Sequence, residues 1–197
     1  MPKKAWSRIK IISTALAKVG KGPINNTSEL DDFGNFAEDI YDAVVPAILA
    51  GRYWSFANAV VGLNKLTTTP ILDKWKYAYQ IPADYLTANG VTPFSDYDIY
   101  EDKIYSNVDG LYLDYRFYPD ESKFPPNFVM YLINLLAVEY APAAEVDQET
   151  FAKLALDLRK WEGIAVSTSG QAKPNRRVRS SPFLNARSAG YYEPYRR

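Results

Sequence analysis

The sequence predicts an α+β fold: an antiparallel four-helix bundle with an inserted small antiparallel β-sheet or barrel region and an extended C-terminal arm. Three observations predict it. Apolar residues recur at helical spacing towards both ends of the chain, the middle is built of short Tyr-rich alternating runs, and the last stretch is basic and poor in apolar side chains. Helices, then strands, then helices indicate α+β rather than alternating α/β. The division is residues 1–52 with 125–166 for the bundle, 53–124 for the β-rich insertion and 167–197 for the arm. At 197 residues the chain has the length for one sizeable domain with an appendage.

The first helix is carried by Trp6, Ile9, Ile12, Leu16 and Val19, and Gly20 stops it. The run KGPINNTSELDD, residues 21–32, is dense in turn formers and reads as a loop. The second helix begins at the Asp31–Asp32 pair, where acids suit the positive end of the helix dipole, and its apolar line is Phe36, Ile40, Val44, Ile48 and Gly51. Pro46 inside it removes a backbone donor and predicts a kink.

Five runs read as strands: YWSFANAVVGLNKL, WKYAYQI, YDIY, KIYS and LYLDYRFY. YDIY and KIYS form a hairpin about Glu101 and Asp102, and NVDG at 107–110 is a second tight turn. In the last run Leu111, Leu113, Tyr115 and Phe117 share a buried face, while Tyr112, Asp114 and Arg116 take the other. The third helix follows Pro125 and Pro126, with Phe128, Leu132, Leu135 or Leu136, and Glu139 along one stripe, and ends at Pro142. Asp147 caps the fourth, whose apolar line is Phe151, Leu154, Ala155, Leu158 and Trp161. STSGQAKPN after Val166 reads as a flexible linker.

The chain has no Cys and no His, so it lacks disulfides, thiolate chemistry, the commonest general base and the commonest metal ligand. No GxGxxG or GxxxxGK[ST] loop occurs. Asp96, Asp98, Glu101 and Asp102 lack the spacing of a calcium loop and read as a solvated hairpin end. No pair of carboxylates is singled out for acid–base work, and Trp54, Trp75 and Trp161 read as core. The reading is therefore a non-enzyme, with no catalytic residue, no metal site and no cofactor. VMYLINLLAV, residues 129–138, is the most apolar stretch and is half of the ~20 residues that span a bilayer, so no membrane anchor is expected.

The zero net charge hides a division. Residues 171–197 hold seven of the 23 Lys/Arg and only Glu193 of the 23 acids, which leaves 16 cations and 22 acids in residues 1–170. An acidic body near −6 thus carries a basic arm near +6. The arm has few apolar groups (Val178, Phe183, Leu184 and tyrosines 191, 192 and 195), too few for a core of its own. Arg176, Arg177, Arg179 and Arg187 can pair with carboxylates, while Phe183, Leu184, Tyr191 and Tyr192 enter pockets, as in a protein-docking segment. The alternative is a nucleic-acid-binding arm, with arginines on phosphates and aromatics on bases.

The order of several motifs resembles the tail tubular protein A family, the head-to-tail adaptors of short-tailed phages. The carrying stretches are LAKVGKGPI (16–24), FAEDIYDAVVPAILAGRYWSF (36–56), YQIPADYL (79–86), IYEDKIYS (99–106) and PPNFVMYLINLLAVEYA (125–141). Gly20-Lys21-Gly22-Pro23-Ile24, Trp54-Ser55-Phe56 and Pro82-Ala83-Asp84-Tyr85-Leu86 occupy the family's turn, helix-to-sheet and Pro-led positions. The resemblance covers about residues 5–165, and Pro46 in the second helix departs from it. It implies a virion structural protein of the tail or neck, assembled in the host cytoplasm. It further implies a dodecameric ring of this chain between portal protein and tail nozzle protein, with genomic DNA passing through the channel without specific binding.

In that setting the arm would dock on the portal, and Tyr97, Tyr100, Tyr105, Tyr112 and Arg116 are the candidate ring or tail contacts. An acidic body suits a channel that must not grip phosphates. A ring needs two unlike contact surfaces on each copy, and many weak arms gain by multivalency.

Overall fold

The computed structural model describes residues 6–24, 32–68, 70 and 73–172. The elements run α1 (Arg8–Lys18), α2 (Asp32–Gly51), a 3₁₀ turn (Ser55–Ala57), β1 (Asn58–Gly62), β2 (Tyr77–Gln80), β3 (Tyr85–Thr92), β4 (Tyr97–Tyr100), β5 (Lys103–Ser106), β6 (Tyr112–Phe117), a second 3₁₀ turn (Glu121–Lys123), α3 (Pro126–Tyr140) and α4 (Gln148–Gln171).

The four helices do not form a bundle. In a bundle each helix turns one apolar stripe to a shared axis. Here α3 is buried on several sides at once, through Phe128, Val129, Leu132, Ile133, Leu136, Ala137 and Tyr140. A helix apolar almost all round needs cover on more than one side. Accordingly α1, α2 and α4 each lie against α3, and α2 also meets β3 and β6 of the strand region. α4 buries only Leu154, Ala165 and Ser169. Of its expected apolar line, Phe151 is exposed and Ala155, Leu158 and Trp161 are half-buried.

Local signals explain the helix ends. Gly20, at φ +76°, closes α1 in the left-handed conformation that glycine adopts without strain. Asp147 accepts the Thr150 backbone N–H at 2.9 Å and starts α4. α2 runs through Pro46 to Gly51. Its buried line is Ala37, Tyr41, Val45 and Leu49, one position on from the expected Phe36, Ile40, Val44 and Ile48, which lie half-buried at the edge of the same core. α4 continues to Gln171, so STSGQ is helical rather than linker. Its Ser169 hydroxyl accepts the Ser55 backbone N–H at 2.9 Å, a tertiary partner that composition does not announce.

The strands form two antiparallel three-stranded sheets, ordered β1-β6-β3 and β2-β5-β4. Their inner faces share one core of Tyr79, Ile81, Val91, Ile104, Leu111, Leu113 and Tyr115. The segment after β1 leaves the first sheet and bridges the second, pairing Lys65 with Tyr79. The β4–β5 hairpin turns at Glu101, which has φ +54°. The turn at 107–110 joins strands of different sheets, with Gly110 at φ +76°.

β3 is the longest strand and was absent from the five sequence runs. Its register against β6 slips between Tyr85 and Thr87 and again between Ala88 and Gly90, so its burial does not alternate.

A larger core lies under the helices. Trp54, Phe56, Phe124, Phe128 and Tyr131 interlock there, with Phe128 centred 4.8–5.1 Å from Trp54, Phe56 and Phe124. Asn134, fully buried on α3, accepts from Lys18 of α1 at 2.7 Å and donates to the Met130 carbonyl at 2.6 Å. Lys18 also lies 3.6 Å from Asp157 of α4, so one cation ties three helices.

Candidate interaction surface

The expected arm residues Arg176, Arg177, Arg179, Phe183, Leu184, Arg187, Tyr191 and Tyr192 lie outside the described residues. The five expected ring or tail contacts are all described, and strand register sorts them. Residues directly opposite on paired strands share a face. Tyr97 stands opposite Ser106 and packs against the inter-sheet core, so it faces inward. Tyr100 and Tyr105 stand on the outer face of the second sheet, rings 5.8 Å apart and edge to face. Tyr112 is 53% exposed on the outer face of the first sheet, beside Val60 at 67%.

Arg116 is used within the chain. Its Nε donates to Asn89 Oδ1 at 3.1 Å, and a terminal nitrogen donates to the Ala50 carbonyl in the last turn of α2. α2 has no basic residue of its own in that turn. Arg116 therefore supplies the cation that a helix C-terminus favours and clamps the first sheet to α2. Asn89 in turn donates to Asn58 and Asp114, at 2.9 Å each.

Sequence reasoning missed the most exposed aromatic among the described residues. Phe94 is 99% exposed on the loop between β3 and β4. No periodicity marks a single loop residue. The loop is held at its β4 end. Buried Ser106 donates to the Asp96 carbonyl at 3.3 Å and lies 3.4 Å from the Ser95 hydroxyl. Asp98 accepts from Trp75 Nε1 at 3.1 Å and Lys74 Nζ at 3.2 Å. Trp75 is buried, as expected, with Lys74 Nζ 4.3 Å above its ring. A fixed loop presents its tip at low ordering cost.

A second feature lies between the 3₁₀ turn after α2, α3 and the end of α4. Trp54, Phe56, Pro125, Phe128, Ala165 and Ala172 wall a partly open cavity of about 120 Å³. Several of its polar lining groups are bonded to one another or to backbone. Asn127 Nδ2 donates to Thr168 Oγ1 at 3.0 Å, Thr168 donates to the Ile164 carbonyl at 2.8 Å, and Ser169 is bonded to Ser55. Such a wall asks for an apolar occupant.

The carboxylates at the hairpin end are engaged with cations. Asp102 accepts from Gln80 at 3.1 Å and lies 3.3 Å from Lys103, and these contacts hold its carboxyl below the usual carboxylate range. Among the described residues no group of three or more Asp or Glu could hold a metal ion. No described helix is long and apolar enough to cross a membrane. The largest displacements in acidity are those of tyrosines in the helical core. Burial, then Glu121, pushes the Tyr118 phenol up to about 12, and burial also raises Tyr41 and Tyr140. Tyr41 and Tyr118 both donate to Glu121, at 3.3 and 3.4 Å. These are neutral phenols bracing elements together.

No family model matches the chain, and a search of curated proteins finds no match.

Proposed function

We propose that this chain is a virion structural subunit: a head-to-tail adaptor of the tail tubular protein A type, joining portal to tail nozzle as a homo-oligomeric ring without catalytic activity. The observation that carries the reading is where the resembling motifs fall. Gly20 terminates α1, Trp54-Ser55-Phe56 forms the passage from α2 into the first sheet, and Pro82-Ala83-Asp84-Tyr85-Leu86 leads into β3. The motifs are thus junctions of one architecture, with Trp54 and Phe56 also building its core. The outward side chains suit contact rather than chemistry: Phe94, Tyr100, Tyr112 and Val60 are exposed on the sheets and the loop joining them. The basic segment 173–197 leaves from the end of α4 and is the portal-docking element.

The test is electron microscopy of the protein alone and with the cognate portal, using the full chain and a chain ending at Ala172. That cut preserves all of α4, including Ser169. The expected result is rings or portal-capping density with the full chain, lost on truncation. No rings and no capping density would remove the adaptor reading. Full-strength portal binding after truncation would remove the arm's role. Steeply salt-dependent DNA binding that disappears with the arm would favour the nucleic-acid alternative.

A further inference from the structure

We propose that the cavity walled by Trp54, Phe56 and Phe128 is a docking site for the chain's own C-terminal segment, residues 173–197, with Phe183 as the side chain that fills it. The inference goes beyond the adaptor reading and does not rest on it.

The cavity sets the size of its occupant. Trp54, Phe56, Pro125, Phe128, Ala165 and Ala172 give it an apolar wall around about 120 Å³, open to the surface. An apolar cavity of roughly 150 Å³ accommodates a benzene ring, whereas cofactor sites run to roughly 300 Å³ and more. One side chain is the fitting occupant. The wall is also preformed: Trp54 and Phe128 are buried and pack edge to face, ring centroids 4.9 Å apart.

The place where the described chain ends selects that side chain. Ala172 closes α4 and is itself part of the wall. From there the sequence runs on through residues 173–197, and Pro174 and Asn175, both turn formers, follow at once. Residues 173–182 can span roughly 33 Å when extended, far more than a return to a wall the segment leaves from requires. A tether at the rim gives the segment an effective concentration on the order of 1 mM at the cavity. Burial of a single side chain is then enough to hold it. A separate protein has no such tether and needs an interface of roughly 800 Å² on each side, which a space for one ring does not supply. Phe183 is the only phenylalanine of the segment. Tyr191, Tyr192 or Tyr195 would carry a hydroxyl into an apolar wall, and Val178 is smaller than a ring. A partner that captures the segment must first draw Phe183 out, so filling of the cavity and capture of the segment exclude each other.

The test reads the stability of the full chain, by urea unfolding followed through tryptophan fluorescence. Phe183→Ala should raise the unfolding equilibrium constant about tenfold, the low end of what burying one aromatic ring gives, and by the same factor at every protein concentration. Ala172→Leu, at an exposed position of the wall, places a longer side chain in the same space. In that background Phe183→Ala should change nothing, and Tyr192→Ala should change nothing in either background. No loss for Phe183→Ala, or an equal loss in both backgrounds, would overturn the docking. A loss that fades on dilution would assign the cavity to a neighbouring copy's segment and equally overturn it. None of these results bears on rings or portal capping, so failure here and failure of the adaptor reading are told apart.

Discussion

Arg116 offers the sharpest test of how the strand region is joined to the helices. The perturbation is Arg116→Met, which keeps the apolar stem and removes the guanidinium. Two bonds are lost, from Nε to Asn89 Oδ1 at 3.1 Å and from a terminal nitrogen to the Ala50 carbonyl. Hydrogen bonds to a charged group contribute about 1.5–3 kcal/mol, and a cation at a helix C-terminus about 0.3–1 kcal/mol. Arg116 is half-buried, so water can reach part of what is exposed. The expected net loss is about 2 kcal/mol. Urea unfolding followed by tryptophan fluorescence reads it as a lowered midpoint at constant slope. Asn89→Ala should lose about 1 kcal/mol, and the double variant less than the sum, since both remove the same bond. A stability change below about 0.5 kcal/mol for Arg116→Met, or strict additivity with Asn89→Ala, would refute the clamp. The sequence-based expectation of Arg116 as a partner contact predicts the opposite pattern: unchanged stability and weakened assembly.

Two further outcomes follow from the helical core. Phe128→Ala should cost about 3–5 kcal/mol, because it opens a void among Trp54, Phe56 and Phe124, and a urea-derived loss under 1 kcal/mol would deny that packing. Stability should also fall on the alkaline side. The folded Tyr118 phenol, at about 12, lies above the ordinary value of 10, so its contribution is complete below pH 10 and is lost as pH rises through 12. For a half-exposed group that contribution is about 1 kcal/mol after solvent screening. Tyr118→Phe should flatten the melting-temperature profile between pH 10 and 12, and an equally steep profile would count against it.

Much of the helical framework was legible because its signals are local. Gly20 ends α1, Pro125 and Pro126 occupy the cap and first position of α3, and Asp147 caps α4 within three residues of its partner. The β4–β5 hairpin and the inward face of β6 were equally readable, since an exposed outer face leaves clean alternation. β3 was not, because two register slips erase its period. The end of α4 was not, because Ser169 is secured by Ser55, distant in the chain. The expected surface residues divided likewise: Tyr100 and Tyr112 are exposed, Tyr97 faces inward, and Arg116 is committed to α2.

Local signals along the chain set the class of each strongly periodic element, the turns between them and the division of charge between an acidic body and a basic C-terminal segment. Hydrophobic period, capping chemistry and charge are properties of neighbours along the chain. Packing in three dimensions made α3 a central helix rather than one of four equals, divided the strands into two sheets, and left Phe94 standing out from its loop while an apolar cavity opens beside the end of α4. Partner choice depends on which faces meet in space. An all-round apolar helix or a lone exposed aromatic states a need for partners without naming them, and long-range packing makes that choice.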